Sequence, residues 1–390
     1  MLVFGFGDVS LSACQQKKKT ATVATSASAQ PALAPNVDAD LLKQLTDISR
    51  TCKVDAAEGN LTCPQGENRR LVSEFVANQR SRVTAVATLA HALSDPNPAL
   101  QTTAANLLNG AFRSPWVSEV KVGSLPAGDA KALLAAALKA PKTLARQAVP
   151  GAVNAAQLAG LGNELYTALD NADSSEIRPL GYRYVMTHGR LAAFDKVQQL
   201  AKDANSAVAF AALEAPRNMS GWDEKEKAAI CPWALELLKD PRPNVGTRAA
   251  GLLSSCSGEF VDRLLDRGEQ ALKDGKFNAG ELGPFRDLCS AANLRQAGSA
   301  TEKQCERNRD LLCDVVAGKK LDSQTRSMAL VSLAYQWPDD KTLKLAKSLE
   351  KDADKSLAEH ASRTVKRIEQ RKATEKGAAK AGPEKKPIGK

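Results

Sequence analysis

The sequence predicts an all-α fold in which helical hairpins stack into one array. Four segments align without a gap, each with an Asp, an apolar residue five positions later and an Ala nine positions later. The four sets are Asp95, Leu100 and Ala104; Asp203, Val208 and Ala212; Asp240, Val245 and Ala249; and Asp352, Leu357 and Ala361. The Asp residues are separated by 108, 37 and 112 positions. These gaps are close to multiples of about 37 residues, a period typical of stacked helical hairpins.

Composition supports the same fold class. At 390 residues the chain exceeds one ordinary globular core, and aromatic residues make up only 4% of it. Ala and Leu are abundant, and both are strong helix formers. No run of β-branched residues alternates with polar ones, so the sequence predicts no sheet.

The first residues resemble the signal segment of bacterial lipoproteins. Leu11-Ser12-Ala13-Cys14 is similar to a lipobox, and the resemblance implies that residues 1–14 direct attachment of a diacylglyceryl lipid to Cys14. Gln15 then favours the outer membrane. The apolar run before the motif is interrupted by Asp8 and has no basic residue, so a start further upstream and a fortuitous match stay open as alternatives.

Residues 15–37 are small, polar and repetitive, which predicts a disordered tether between the lipid and the folded part. The repeat domain is expected over 38–368. It begins with a helix capped by Asp38 or Asp40, and residues 262–300 are expected to form a degenerate hairpin. Residues 369–390 are rich in Lys, Gly and Pro and predict a disordered basic tail.

Weaker copies of the repeat lie between the four clear ones. They are Leu144 with Ala148, Ile177 with Gly181, and Thr325 with Ala329. Residues 70–368 resemble HEAT-type helical repeats through the Asp-Pro-x-Pro turns at Asp95 and Asp240, the small residues Ala104 and Ala249, and Arg248. Period and resemblance together predict an α-solenoid, a right-handed superhelix of about seven or eight hairpins in which Asp caps each second helix.

Charge argues against a nucleic-acid partner. The net charge is +10, of which residues 1–20 carry +2 and residues 366–390 carry +6, so the chain between them carries only +2. Nucleic-acid binding would need positive charge along a folded face. No other segment is apolar enough to span a bilayer, so the lipid is the expected contact with the membrane.

The sequence offers little catalytic apparatus. The three histidines, His91, His188 and His360, have no metal-site spacing, and no phosphate-binding loop or nucleophile elbow is present. We therefore expect no cofactor, no metal and no enzymatic activity. An accessory subunit of an enzyme complex, or an enzyme with an unrecognised site, is the alternative.

The cysteines beyond Cys14 suggest disulfides, which an exported protein can keep. Cys52 and Cys63 flank one short loop, Cys231 and Cys256 are expected at the same edge of one hairpin, and Cys289 and Cys305 can join one hairpin to the next. Cys313 is left over and expected to be buried. A metal site made by Cys289, Cys305 and Cys313 is the alternative, although it lacks a fourth ligand.

Three residues are candidates for contact with a partner protein. Tyr182 and Arg183 lie in the segment richest in Tyr, Arg and His, and Trp222 lies at a helix entrance. Tyr, Trp and Arg are enriched in protein interfaces. The alternative is that Ile177, Leu180, Tyr184 and His188 form a packed face, and that Trp222 packs under its turn. The predicted function is that of a non-catalytic, lipid-anchored scaffold whose partner is another protein.

Overall fold

A computed structural model describes residues 36–64, 79–113, 121–172, 174–219, 221–290 and 300–381. Cys14, the proposed signal segment and nearly all of the expected tether lie outside these residues. The described part contains seventeen α-helices and one β-hairpin. In order they are α1 Ala39–Thr51, β1 Lys53–Asp55, β2 Asn60–Thr62, α2 Gln79–Ser94, α3 Pro98–Arg113, α4 Ala127–Lys139, α5 Lys142–Leu158, α6 Gly162–Asp170, α7 Ile177–Tyr182, α8 Phe194–Ala201, α9 Ser206–Glu214, α10 Glu224–Leu237, α11 Pro243–Leu253, α12 Glu259–Lys273, α13 Ala279–Leu282, α14 Glu302–Ala317, α15 Ser323–Gln336, α16 Asp340–Leu349 and α17 Lys355–Ala381.

The helices from α2 onward form eight successive hairpins, so the chain is an α-solenoid. We call α3, α5, α7, α9, α11, α13, α15 and α17 the second-helix layer. Each helix of this layer contacts the next one, without a break from α3 to α17. The hairpin of α12 and α13 is the degenerate one that the sequence predicts, because α13 is only four residues long.

The repeat residues occupy the predicted core positions. Ala104, Ala212, Ala249 and Ala361 are all 0% exposed, and the four apolar residues that precede them are also buried. The weaker copies behave alike, since Leu144, Ala148, Ile177, Thr325 and Ala329 are buried too. Small residues at these positions let neighbouring helices cross closely.

The four Asp residues were predicted to cap the second helices, and this prediction is wrong because the capping position lies two residues later. Each carboxylate accepts a hydrogen bond from the backbone N–H two residues later, at 2.8, 2.8, 2.9 and 3.0 Å for Asp95, Asp203, Asp240 and Asp352. The helix starts only after that turn, so the capping position falls two residues beyond the Asp. At three of the turns this later residue is Asn97, Asn205 or Asp354, and its side chain accepts a backbone N–H of the first helical turn.

Arginines connect neighbouring hairpins. Arg242 donates to the carbonyl oxygens of Ala201 at 2.8 Å and Asp203 at 3.1 Å, in the preceding turn. Arg248, on α11, donates to Glu214 of α9 at 2.8 Å, and its guanidinium lies 4.1 Å from the ring centre of Phe210. Arg326 on α15 pairs with Asp352 ahead of α17 at 3.2 Å.

Two further expectations, about the absence of strands and the start of the C-terminal tail, differ from the structure. The expectation of no sheet is wrong for residues 53–62, where β1 and β2 pair antiparallel with Val54 opposite Leu61. A bond between Cys52 and Cys63 at the open end of this hairpin allows strands too short to show an alternating pattern. The helix α17 also continues to Ala381, into the expected tail; among its residues up to Thr374, where burial is described, the last buried one is Ile368. Lys, Arg, Glu and Ala after Ile368 favour helix even without packing.

Candidate functional site

Tyr182 is a core residue, so its prediction as a surface contact is wrong. It ends α7, its side chain is 0% exposed, and its hydroxyl donates to Asp170 Oδ1 at 2.5 Å. Ile177 and Tyr184 of the same segment are also buried, as the alternative held. The reason is that α7 has only six residues, so the chain turns at once and directs Tyr182 towards the end of α6.

Asp170 is the centre of a polar network among α6, α7 and α8. Its carboxylate accepts from Tyr182, from Arg178 at 3.1 Å and from Lys196 at 3.0 Å. Burial alone would raise the pKa of Asp170, but the hydrogen bonds from Tyr182 and Lys196 and the nearby positive charges lower it. Burial and the Asp170 carboxylate raise the pKa of Tyr182 well above its usual range. Asp170 therefore stays ionised and Tyr182 stays neutral near pH 7, which is typical of a structural hydrogen bond.

His188 lies in the irregular turns between α7 and α8. Burial lowers the pKa of its imidazole to about 4, so it is neutral near pH 7. The backbone N–H groups of His188 and Gly189 donate to Gln157 Oε1 at 2.8 and 2.7 Å, and Gln157 Nε2 donates to the Tyr184 carbonyl at 2.8 Å. Gln157 of α5 thus holds this turn in place.

Arg183 and Trp222 keep part of their surface. Both side chains are half-buried. The Trp222 indole N–H donates to the Pro216 carbonyl at 2.9 Å, so one edge of the ring is fixed under the turn. Next to it Arg190, with a left-handed φ of 44°, forms a two-pronged pair with the buried Glu226. The Arg190 pair joins the turn before α8 to α10, and Arg183 and Trp222 are the accessible members of the predicted set.

The three predicted cysteine pairs lie at disulfide distance. Their Cα atoms are 4.2 Å apart for Cys52 and Cys63, 6.0 Å for Cys231 and Cys256, and 5.6 Å for Cys289 and Cys305. Cys231 and Cys256 lie within one hairpin, but Cys231 is in the middle of α10 and not at the hairpin's edge, and it faces Cys256 in the turn after α11. Cys313 on α14 is unpaired and half-buried, and burial raises the pKa of its thiol.

No group of His, Cys, Asp and Glu in the described part of the chain has metal-site geometry. With Cys289 and Cys305 paired to each other, the alternative of a metal site that includes Cys313 loses two of its three ligands. The histidines lie apart along the chain, on α2, between α7 and α8, and on α17.

An apolar groove lies between α4 and α6, where the sequence predicted no binding site. Its volume is about 260 Å³. Its lining residues are Lys131, Leu134, Ala135, Leu138, Lys139, Leu161, Glu164, Ala168, Asn171 and Ala172. The alanines make it open, because larger side chains at these positions would fill the space between the helices. The half-buried Leu138 and the exposed Ala135 could have pointed to an unpartnered face of α4, since they follow the buried Leu133 and Leu134.

None of the helices in the described ranges is both long and apolar enough to cross a bilayer. No protein-family model matches the sequence, and no curated protein matches it.

Comparison with solved structures finds designed armadillo repeat proteins. One is 14% identical, covers 73% of this chain and 99% of its own, and gives a TM-score of 0.20. A second, solved in complex with a (KR)4 peptide, is 15% identical, covers 73% and 99%, and gives 0.21. A third, designed for modular peptide recognition, is 15% identical, covers 76% and 98%, and gives 0.19. At these scores the assignment of the α-solenoid rests on the helices of this chain itself.

Proposed function

We propose that this protein is a non-catalytic scaffold that binds a partner protein through the groove between α4 and α6, and that a lipid on Cys14 holds it at a bacterial envelope membrane, with the outer membrane favoured. The observation that carries the proposal is the groove, because it is an apolar concavity lined mainly by Leu and Ala side chains.

The size of the groove fits a protein side chain better than a small ligand. About 260 Å³ lies below the roughly 300–1,000 Å³ of small-molecule sites. An apolar side chain on a partner helix or loop would fill it, in the way that anchor residues fill pockets in protein interfaces.

The rim of the groove adds a charge preference. Lys131 on α4 lies 4.0 Å from Glu164 on α6, so these two charges offset each other across the groove. Lys139, at the other end of α4, has no ion pair with any described residue and is exposed. We therefore expect an acidic residue beside the apolar anchor of the partner.

Two exposed alanines on α4 make a matched test. Ala135 lines the groove and Ala132 does not. Affinity purification of the full-length protein from its native membrane, with mass spectrometry, identifies the partners; Ala135→Arg should then abolish recovery of the groove partner and Ala132→Arg should retain it. Equal recovery with both variants would refute the groove as the binding site. Turnover of a substrate by the purified protein alone would refute the non-catalytic proposal.

Arg183 and Trp222 remain proposed contacts of a second, weaker kind. Each presents part of its side chain, whereas Tyr182 presents none. The double variant Arg183→Ala, Trp222→Ala should lower partner recovery without abolishing it. If recovery stays at the wild-type level while the fold is preserved, these residues are not part of the interface.

The lipid anchor rests on Cys14 and on the cysteines of the folded part. Three cysteine pairs at bonding distance are expected of an exported chain and unusual in a reducing cytosol. Labelling cells with a fatty-acid probe tests the anchor. Cys14→Ala should lose the label, and an unchanged label would refute lipidation at this residue.

A further inference from the structure

The short hairpin of β1 and β2 closes on itself through its flanking cysteines. Cys52 directly precedes β1 and Cys63 directly follows β2, so their bond joins the open end of the hairpin. Each strand has only three residues. A two-stranded hairpin of that length is at best marginally stable alone, so it depends on the bond between Cys52 and Cys63 together with the packing of both strands on α3.

The tip of this hairpin sits on the second-helix layer. Gly59 is buried, although Glu58 and Asn60 on either side of it are exposed. Its carbonyl oxygen accepts from Asn106 Nδ2 of α3 at 3.0 Å and from Gln147 Nε2 of α5 at 2.6 Å. Two amides on neighbouring helices of the second-helix layer therefore converge on one backbone carbonyl, and the hairpin covers them.

The surroundings of Gly59 leave little room for a larger residue. The φ of Gly59 is +69°, and a Cβ there would lie 3.3 Å from both Gln147 Nε2 and the Thr143 carbonyl oxygen. The hairpin tip thus packs against α5 with little room to spare.

The three cysteine pairs differ in access. Cys63 is half-exposed, whereas its partner Cys52 and the four other paired cysteines are all buried. Cys231 and Cys256, for example, are each 1% exposed. Thiol–disulfide exchange requires a thiolate to reach a sulfur atom, so a reductant in solution reaches the pair at the hairpin before it reaches the others.

We propose that residues 53–62 form a reducible plug on α3 and α5, held by the Cys52–Cys63 disulfide. A dithiol reductant attacks Cys63 Sγ, and a second thiolate of the reductant resolves the mixed disulfide. Two electrons and two protons are transferred, the S–S bond breaks, Cys52 and Cys63 become thiols and the dithiol becomes a disulfide. The hairpin then leaves its seat and uncovers Asn106 and Gln147, so this face has a closed oxidised state and an open reduced state. The groove between α4 and α6 plays no part in this device.

Graded reduction of the full-length protein tests the order of events. Dithiol is raised stepwise, free thiols are alkylated, and peptides are mapped by mass spectrometry. Cys52 and Cys63 should be alkylated at a lower dithiol concentration than the other pairs. Reduction of Cys231–Cys256 or Cys289–Cys305 at the same or a lower concentration would overturn the proposal.

Hydrogen exchange tests the release of the plug. At the dithiol concentration that opens Cys52–Cys63 alone, amide exchange over residues 53–62 should rise about tenfold or more, because the strands lose their constraint. The double variant Cys52→Ser, Cys63→Ser should show the same rise without reductant, while helical amides of α14 to α16 keep wild-type exchange. Unchanged exchange over 53–62 in the opened protein or in the variant would overturn the proposal, and neither result depends on partner binding.

Discussion

Side-chain amides fix backbone carbonyls where the helices are interrupted. Asn106 and Gln147 share the Gly59 carbonyl near one end of the described chain, and Asn308 and Gln336 share the Phe285 carbonyl, each at 3.2 Å, near the other. Both carbonyls lie close in sequence to a cysteine pair. Buried backbone groups outside helices need such partners, so these amides take over where regular hydrogen bonding ends.

The buried hydroxyl of Tyr182 gives a first prediction. Tyr182→Phe removes its hydrogen bond to Asp170 and should lower the free energy of unfolding by about 1–3 kcal/mol, as loss of a buried bond to a charged group does. Tyr335→Phe is the control, because Tyr335 is 56% exposed and should be near neutral. Urea denaturation measures both, and equal effects would contradict the placement of Tyr182 in the core.

The turn aspartates give a prediction for acid stability. The hydrogen bond from Arg242 lowers the pKa of Asp240, and a backbone hydrogen bond from Asp354 lowers the pKa of Asp352. A folded-state pKa below the value of about 3.9 in unfolded chains means that protonation favours unfolding. The contribution is therefore complete above about pH 5 and is lost as the pH falls through 4 towards the folded-state pKa.

Unfolding free energies measured at several pH values between 7 and 3 should fall at the acid end. Asp240→Asn keeps an acceptor for the Arg242 backbone N–H but loses the charge, so it should flatten the acid slope while retaining most of the turn. A variant with the wild-type slope would contradict the role given to this carboxylate.

The sequence predicted the buried alanines but not the Asn and Gln side chains that bind backbone carbonyls. Ala104, Ala212 and Ala249 recur at a fixed distance from an Asp, and a local pattern of this kind survives in sequence. Gln147 and Gly59 are 88 positions apart, and Asn106 and Gly59 are 47 apart. No local pattern connects such residues, because only the packing of the hairpin on the stacked helices α3 and α5 brings them together.

Two helices of the second-helix layer approach closely at one glycine. A Cβ on Gly151 of α5 would lie 2.6 Å from the Leu108 carbonyl oxygen and 2.8 Å from Leu108 Cγ of α3. Gly151→Ala should therefore destabilise the protein by about 1–3 kcal/mol through overpacking. Gly162→Ala on α6 is the control, since nothing lies within 4 Å of its Cβ position. Thermal unfolding that fails to separate the two variants would contradict the close crossing of α3 and α5.

The pair of Cys231 and Cys256 joins the two helices of one hairpin. Replacing both with Ala should lower the free energy of unfolding by about 3 kcal/mol, because the bond closes a loop of 25 residues in the unfolded chain. Non-reducing peptide mapping of the wild-type protein is the direct check on the bond itself. Free thiols at all the paired positions would contradict both this prediction and the proposed export.

Helix boundaries were only partly predictable. The start of α1 at Asp38, whose side chain accepts from the N–H groups of Asp40 and Leu41, follows from local capping chemistry. The close fit of α7 on α6 does not: a Cβ at Gly181 would lie 2.3 Å from Leu169 Cδ2, so the Leu169 side chain would have to shift. The same short helix turns Tyr182 into the core.

At the scale of the molecule, the continuous second-helix layer is the part that the period of about 37 residues predicted best. In most hairpins the repeat residues lie on the second helix. The second helices therefore pack on one another continuously from α3 to α17. The groove between α4 and α6 could not be predicted, because it depends on the space between two first helices.

Site-specific photo-crosslinking in cells is the most direct test of whether a partner protein binds in the groove between α4 and α6. A photoreactive amino acid replaces Ala135 in the groove or Ala132 on the neighbouring face of α4, and both positions are exposed and helical. We expect a crosslinked adduct with one defined partner protein from position 135, lost on addition of Lys139→Glu, and no such adduct from position 132. Equal adducts from both positions, or none from position 135, would contradict binding of a protein partner at this groove.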